Sequence, residues 1–423
     1  MKLFRVFRPI LSTHRKFSIK VQGQPISLTN SRLPNPDYDF EYLCNPSNRN
    51  EIFENIRKRK SQGDIDKVLE LSQSPELRDT FLAEINTIPN HTAEEVMEYG
   101  ENPQVIRVYG KKAELNFECK RLSELAKHLQ LMKTDRLGPL TGQKSYILLT
   151  DLADMEQALV QYSVDKLIKN NFKLVSVPDI ISSEIIKRCG LISKADRTLV
   201  YCLDSQYGEN VSLSGTAEMS MAQMLMNTEF TRQEIPLKLA AVSRCYRAET
   251  STLYEERGIY RVHQFTKVEM FVCCEPEESS EFLHKIQEIQ ENLFSNLDLH
   301  FKVLDMPPHE LGASAYRKMD IEGWMPGRKQ FGELSSCSNC TDYQSRRLNI
   351  KYRSRSGKLL HVHTLNGTAC AIPRMLIAIC ETHQTKDGDI KVPKKLIPYM
   401  QGKTLITKQS AANMKPHKLQ QNI

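Results

Sequence analysis

Arg247, Glu249, Arg261, Phe265 and Glu269 fall within one stretch, residues 244–272, whose second half alternates with the period of a strand. Ile259, Arg261, His263, Phe265, Lys267 and Glu269 share one parity, and Tyr260, Val262, Gln264, Thr266, Val268 and Met270 the other. The charged turn before them holds no hydrophobic run, so two antiparallel strands joined by a polar loop are expected. One face of such a hairpin offers cations for phosphate, a ring for a base and carboxylates for an amine. A solvated strand pair with cross-strand ion pairs has the same composition. Three further stretches tip the balance toward a nucleotide site.

At Leu213-Ser214-Gly215-Thr216-Ala217-Glu218 a strand-like run breaks and a helix begins, presenting a hydroxyl and a carboxylate at the helix start. In Phe331-Gly332-Glu333-Leu334-Ser335-Ser336 a carboxylate is followed by hydroxyls, a set that can hold a divalent cation and direct hydrogen bonds to a nucleotide. In residues 363–381, Asn366-Gly367 is expected to turn a strand into an apolar helix. That helix presents Arg374 in its first turns, where the backbone dipole favours anions. A charge within so apolar a run needs a partner.

The elements that must position these groups can be read by period. Residues 152–171 form an amphipathic helix through Met155, Ala158, Leu159, Tyr162, Val164 and Leu167, followed by a strand over 172–178 that ends in Pro178. A helix over 279–296 carries Phe282, Leu283, Ile286, Ile289 and Leu293 on one face and reads as packing material. Short strands are expected at 105–110 and 301–304, and a helix at 121–132. From residue 50 to 85 the apolar positions repeat at helical spacing, interrupted at Gly63 and re-capped at Ser74-Pro75-Glu76, so these helices are short.

Arg247-Ala248-Glu249 followed by Arg257-Gly258-Ile259-Tyr260-Arg261-Val262-His263-Gln264-Phe265 resembles motif 2 of class II aminoacyl-tRNA synthetases, in the form typical of the seryl family and its mitochondrial branch. Residues 152–178 resemble motif 1, which implies a homodimer through that helix and strand, and residues 363–381 resemble motif 3. The resemblance implies an α+β fold: an antiparallel sheet of the class II type flanked by helices, preceded by a shortened N-terminal helical domain in place of a long coiled-coil arm. It implies activation of L-serine by ATP with Mg2+ and transfer to tRNA(Ser).

By the same resemblance, Arg247, Arg374 and Glu333 would be catalytic. Serine would meet Thr216, Ala217, Glu218, Arg247, Glu269, Asn339 and Thr368. ATP would meet Arg247, Ala248, Glu249, Arg261, Val262, Phe265, Glu333, Leu334, Ser335, Ser336 and Arg374, with Glu333 and Ser336 on the metal. The alternative is a non-catalytic, synthetase-like paralogue serving as an RNA- or protein-binding partner of a true synthetase. Loss of Glu218, Arg247, Glu333 or Arg374 would favour it, and none is lost.

The 423 residues can bury a large core plus an appendage, and no apolar run reaches membrane-span length. The net charge of +7 gathers at the ends and favours a polyanionic partner. Residues 1–36 lack Asp and Glu but carry basic, apolar and hydroxylated residues, the composition of a mitochondrial transit peptide, which implies the matrix. After Asp389 the chain has no acidic residue, so residues 401–423 read as a basic tail. The helical region and linker then span 37–100, and the catalytic domain 101–400. The eleven cysteines are irregularly spaced, as in a reducing compartment, and the single Cys337-Ser338-Asn339-Cys340 pair gives no expectation of zinc.

Overall fold

The computed structural model describes residues 33–61, 63–112, 115–134, 144–191, 199–208, 210–250 and 258–408. Its centre is a sheet of β1 (Gln104–Tyr109), β2 (Lys173–Val175), β3 (Leu237–Tyr246), β4 (Gln264–Cys274), β5 (Phe301–Asp305), β6 (Arg317–Met325), β7 (Gln330–Asn339) and β8 (His363–Ala371). The spatial order is β1-β5-β6-β7-β8-β4-β3-β2. Neighbours run antiparallel, except that β2 joins the edge beside β3 in parallel.

The helices used below are α1 (Arg49–Lys58), α2 (Ile65–Leu71), α3 (Arg78–Ile85), α4 (Leu122–Leu129), α5 (Thr150–Lys169), α6 (Ala217–Met224), α7 (Ser279–Ser295), α8 (Tyr343–Leu348) and α9 (Ile372–Thr382). Helices α5, α7 and α9 bury their apolar stripes in one core with Val268, Met270, Val272, Ile321 and Leu365 of the sheet. A second core gathers α6 and the end of α8 around Leu239, Ala241, Phe271 and Cys273. Strand β4 is therefore covered on both faces, which is why its second half, Val-Glu-Met-Phe-Val-Cys-Cys, is nearly all apolar. The fold is α+β, as expected.

Four sequence expectations need correction. Residues 259–263 do not extend the strand: β4 begins at Gln264, and Gly258, at φ +82°, opens a turn that sends Ile259 into the core. Asn366-Gly367 is not a turn either but lies within β8, and the helix starts six residues after Asn366, at Ile372. Gly367 is required there by close approach, since a Cβ would stand 2.4 Å from Ile286 Cγ2 of α7. At the amino end, Pro34 already accepts a hydrogen bond from Arg188 Nη1 at 2.6 Å, so the described fold includes residues before 37. At the other end, Leu405–Ile406 pairs with Ile390–Lys391 and Ile406 is buried, so the folded unit runs past 400. Residues 1–32 and 409–423, which hold most of the expected leader and tail, lie outside the described residues, as do residues 251–257, where the polar loop of the hairpin is expected.

Helices α1, α2 and α3 enclose a small core of Ile52, Ile56, Ile65, Val68 and Ile85 and dock beside the central sheet. Two buried polar side chains make the joint. Arg59 donates to the carbonyls of Asn90 (2.9 Å), Gly312 (2.5 Å) and Ala315 (2.9 Å). Asn90 Nδ2 donates to Ser314 O (2.8 Å), Cys340 O (2.9 Å) and Thr341 Oγ1 (2.9 Å). Among the described residues no helix is long and apolar enough to cross a membrane.

Candidate active site

One cleft opens on the sheet where β4, β7 and β8 come together, and the arms of the β3–β4 hairpin wall it. Strand β4 supplies Phe265, Lys267 and Glu269 at alternate positions, so their side chains share a face. Arg247 lies one residue beyond the end of β3, with its N–H bonded to His263 O at 2.9 Å. Its guanidinium stands 5.3 Å from the centre of the Phe265 ring.

Strand β7 brings Glu333 and Ser336 to the same cleft although they are three residues apart. Strict alternation would put them on opposite faces. Leu334 is an extra residue relative to β6, where Ile321 faces Ser335 and the next residue, Glu322, faces Glu333. This bulge resets the alternation. Leu334 itself turns its side chain into the core, packed against Gly323, so it borders the cleft without offering a side chain to a nucleotide.

Arg374 sits in the first turn of α9, where Pro373 follows the first residue, Ile372, and the other early residues are buried. Its Nη1 lies 3.1 Å from Glu333 Oε2 and 3.2 Å from Glu333 O. Burial opposes the charge on Glu333, yet Arg374, Lys318 and Arg247 outweigh it and hold the carboxyl down at about 2. The Tyr260 ring carries both Arg328 and Arg374, at 4.2 and 4.8 Å. Arg261 reaches Glu249 at 3.8 Å on the cleft wall, and Val262 lies beside them.

The far end of the cleft is polar and acidic. Thr216 caps α6, its hydroxyl accepting from Glu218 N at 3.4 Å. Lys267, buried, donates to Thr216 Oγ1 at 2.7 Å and pairs with Glu269 at 2.7 Å, and Thr368 Oγ1 donates to Glu269 Oε2 at 3.1 Å. Glu218 Oε1 accepts from Gln344 Nε2 at 2.6 Å and Asn366 Nδ2 at 3.0 Å. Burial first, and Glu269 second, push the Glu218 carboxyl up to about 7.

Three residues expected in the site do not line the cleft. Asn339 spends its amide on Ser279 Oγ (3.1 Å) and its carbonyl on Thr341 N (2.9 Å). Ala217 is buried beneath the loop, and Ala248 is tied through its N–H to Leu199 O at 2.9 Å. Tyr260, Lys267 and Asn366 do line it and were missed. Lys267 had the right parity to be found, whereas Asn366 was absorbed into an expected turn. Among the described residues no three His, Cys, Asp or Glu side chains gather as a metal centre. The groups that fit a hard cation are the ionised Glu333 and the Ser336 hydroxyl on the same face.

Residues 201–383 match the tRNA synthetase class II core domain of the G, H, P, S and T types. The chain is 41% identical over 328 residues to the mitochondrial serine–tRNA ligase of Bos taurus, a match covering 77% of this chain and 63% of that protein. It is 40% identical over 321 residues to the serine–tRNA ligase of Treponema denticola, covering 74% of this chain and 75% of the relative. The crystal structure of seryl-tRNA synthetase from Pyrococcus horikoshii complexed with ATP superposes with a TM-score of 0.74 at 32% identity, over 85% of this chain and 88% of that one. The matched part spans less than two thirds of the mammalian mitochondrial relatives, 63% and 64% of their lengths.

Proposed function

The chain belongs to the serine–tRNA ligase family of class II synthetases, and from that premise we propose that it activates L-serine with ATP to seryl-adenylate and transfers the seryl group to tRNA(Ser) in the mitochondrial matrix. The observation that carries the reading is a single cleft with arginines and an ionised glutamate at one end and two carboxylates with two threonine hydroxyls at the other.

In this reading a serine carboxylate oxygen attacks the alpha phosphorus of ATP, and the bond to the pyrophosphate oxygen breaks. Arg247 and Arg374 bind the alpha phosphate and the charge that develops on it, and Phe265 offers its face to the adenine. Glu249 and Arg261 flank the nucleotide. Glu333 and Ser336 are the groups that would hold Mg2+, which supplies neutralisation of pyrophosphate charge. Glu218 and Glu269 bind the serine ammonium, and Thr216 and Thr368 read its hydroxyl. No side chain is needed as a nucleophile, because position and electrostatics suffice. The terminal hydroxyl of the tRNA then attacks the adenylate carbonyl and releases AMP.

The matrix assignment draws on the acid-free first 36 residues and on relatives that bear mitochondrial names. The homodimer reading draws on β2, an edge strand that leaves Leu174 half exposed, and on Ile168 at the end of α5. The short helices α1 to α3 are the proposed tRNA contact in place of an arm.

The test is serine-dependent exchange of labelled pyrophosphate into ATP by the full chain, with Arg247→Ala as control, followed by charging of a tRNA(Ser) transcript. Exchange with serine, absent with alanine and lost in the control, is expected. A folded protein that exchanges nothing sinks the proposal.

A further inference from the structure

Strands β7 and β8 are paired at Cys337, Ser338 and Asn339 against Gly367, Asn366 and Leu365. Their ladder stops there, at the cleft. An extra residue marks each strand at this level: Leu334 in β7 relative to β6, and Ala369 in β8 relative to β4. Past the stop, one strand carries Ser336 and Glu333 and the other carries Thr368, so the width of the gap sets how the two ends of the cleft stand to each other.

The gap is closed from behind by Gln290, a fully buried residue of α7. Its Nε2 lies 2.8 Å from Ser335 Oγ, 2.8 Å from Ser336 O and 3.0 Å from Thr368 O. Ser335 Oγ in turn donates to Thr368 O at 2.5 Å. The two backbone carbonyls can only accept, which fixes the orientation of the amide. They belong to the residues whose side chains face the cation and the amino acid, and they lie where the strands no longer bond each other.

We propose that Gln290 is a positioning residue: by bonding Ser336 O and Thr368 O at once, it fixes the spacing between the phosphate end and the serine end of the cleft. This rests on the adenylate-forming reading above. It assigns a role to a helix whose periodicity read as packing alone. It also explains a donor at the buried heart of α7, where an apolar residue would take this donor from Ser336 O and leave Thr368 O with the Ser335 hydroxyl alone.

The experiment compares full-length Gln290→Met, Gln290→Glu and Gln287→Leu. Gln287 is equally buried on the same helix, but its Nε2 has no partner among the described residues, so it controls for loss of a buried amide. In pyrophosphate exchange, Gln290→Met is expected to raise KM for serine about tenfold and to shift the magnesium titration upward, as loss of one buried hydrogen-bonded group predicts. KM for ATP at saturating magnesium should hardly move. Gln290→Glu should regain part of the loss as the pH falls, because a protonated carboxyl again offers a donor.

Wild-type values from a folded Gln290→Met overturn the inference, and so does an equal effect from Gln287→Leu. Should Gln290→Met fail to fold, Gln290→Glu decides by its pH dependence. A wild-type protein without exchange defeats the adenylate reading instead. Serine titrated calorimetrically into wild type and variant then tests Gln290 by itself, and equal Kd values refute it.

Discussion

Arg374 Nη1 and Glu333 Oε2 stand 3.1 Å apart in the cleft, one from the first turn of α9 and the other from β7 beside its bulge. Each favours the charged form of the other at the mouth of the cleft. Glu333→Gln removes the anionic oxygen and leaves the guanidinium facing a neutral amide. Serine-dependent exchange is expected to fall about 10²–10³-fold, the usual cost of one transition-state electrostatic partner. The magnesium titration should move upward, and an unmoved titration would count against the assignment of Glu333 to the cation.

Glu218 gives the pH dependence. Its folded carboxyl is raised to about 7 from a reference of 4.5, by burial and then by Glu269. The native protein thus keeps a proton that the unfolded chain has released. The associated stability is complete below about 4.5 and is lost as the pH rises through about 7. Glu218→Gln is therefore expected to raise Tm at pH 8 and to change it little at pH 4.5. Binding of the serine ammonium needs the ionised form, so kcat/KM for serine should climb through pH 7, and the variant should lose that limb.

Gly367 separates packing from chemistry. A Cβ at this position meets Ile286 Cγ2 at 2.4 Å and Cys337 Cβ at 3.2 Å. Gly367→Ala should cost about 1–3 kcal/mol by overpacking. The check is the midpoint of chemical denaturation, with an unchanged midpoint as the contrary result.

Arg59 is buried among carbonyls of both units it joins. Arg59→Met leaves those acceptors without their charged donor, a loss of about 1.5–3 kcal/mol for each such bond of good geometry. Hydrogen exchange should speed up across α1 to α3 before it does in the sheet. Uniform protection in the variant would show that the apolar contacts alone hold the joint.

The cleft face of β4 was legible because alternation places Phe265, Lys267 and Glu269 together whatever the loop does. Alternation fails where the backbone inserts a residue. Glu333 and Ser336 share a face only through the bulge at Leu334, which no side-chain period announces. Asn339 and Asn366 show the same limit from the other side: both are asparagines in strands, and partners distant in sequence, Ser279 for one and Glu218 for the other, decide which faces the cleft. Asn-Gly at 366–367 carries the composition of a turn, but Ile286 of α7 gives the glycine a different reason to be there. Gln290 looked like any polar residue in an amphipathic helix, since sequence period reports which side is buried and not what is bonded there.

Asn90 has a consequence for any attempt to cut the protein down. It hangs the Cys340 carbonyl and the Thr341 hydroxyl from the amino-terminal unit, and the next turn, α8, bears the Gln344 amide that steadies Glu218. A fragment beginning after residue 100 is expected to lose the serine-dependent exchange proposed above. It would lack the anchor behind the Glu218 end of its cleft, so the small helical unit is a buttress of that cleft before it is anything else.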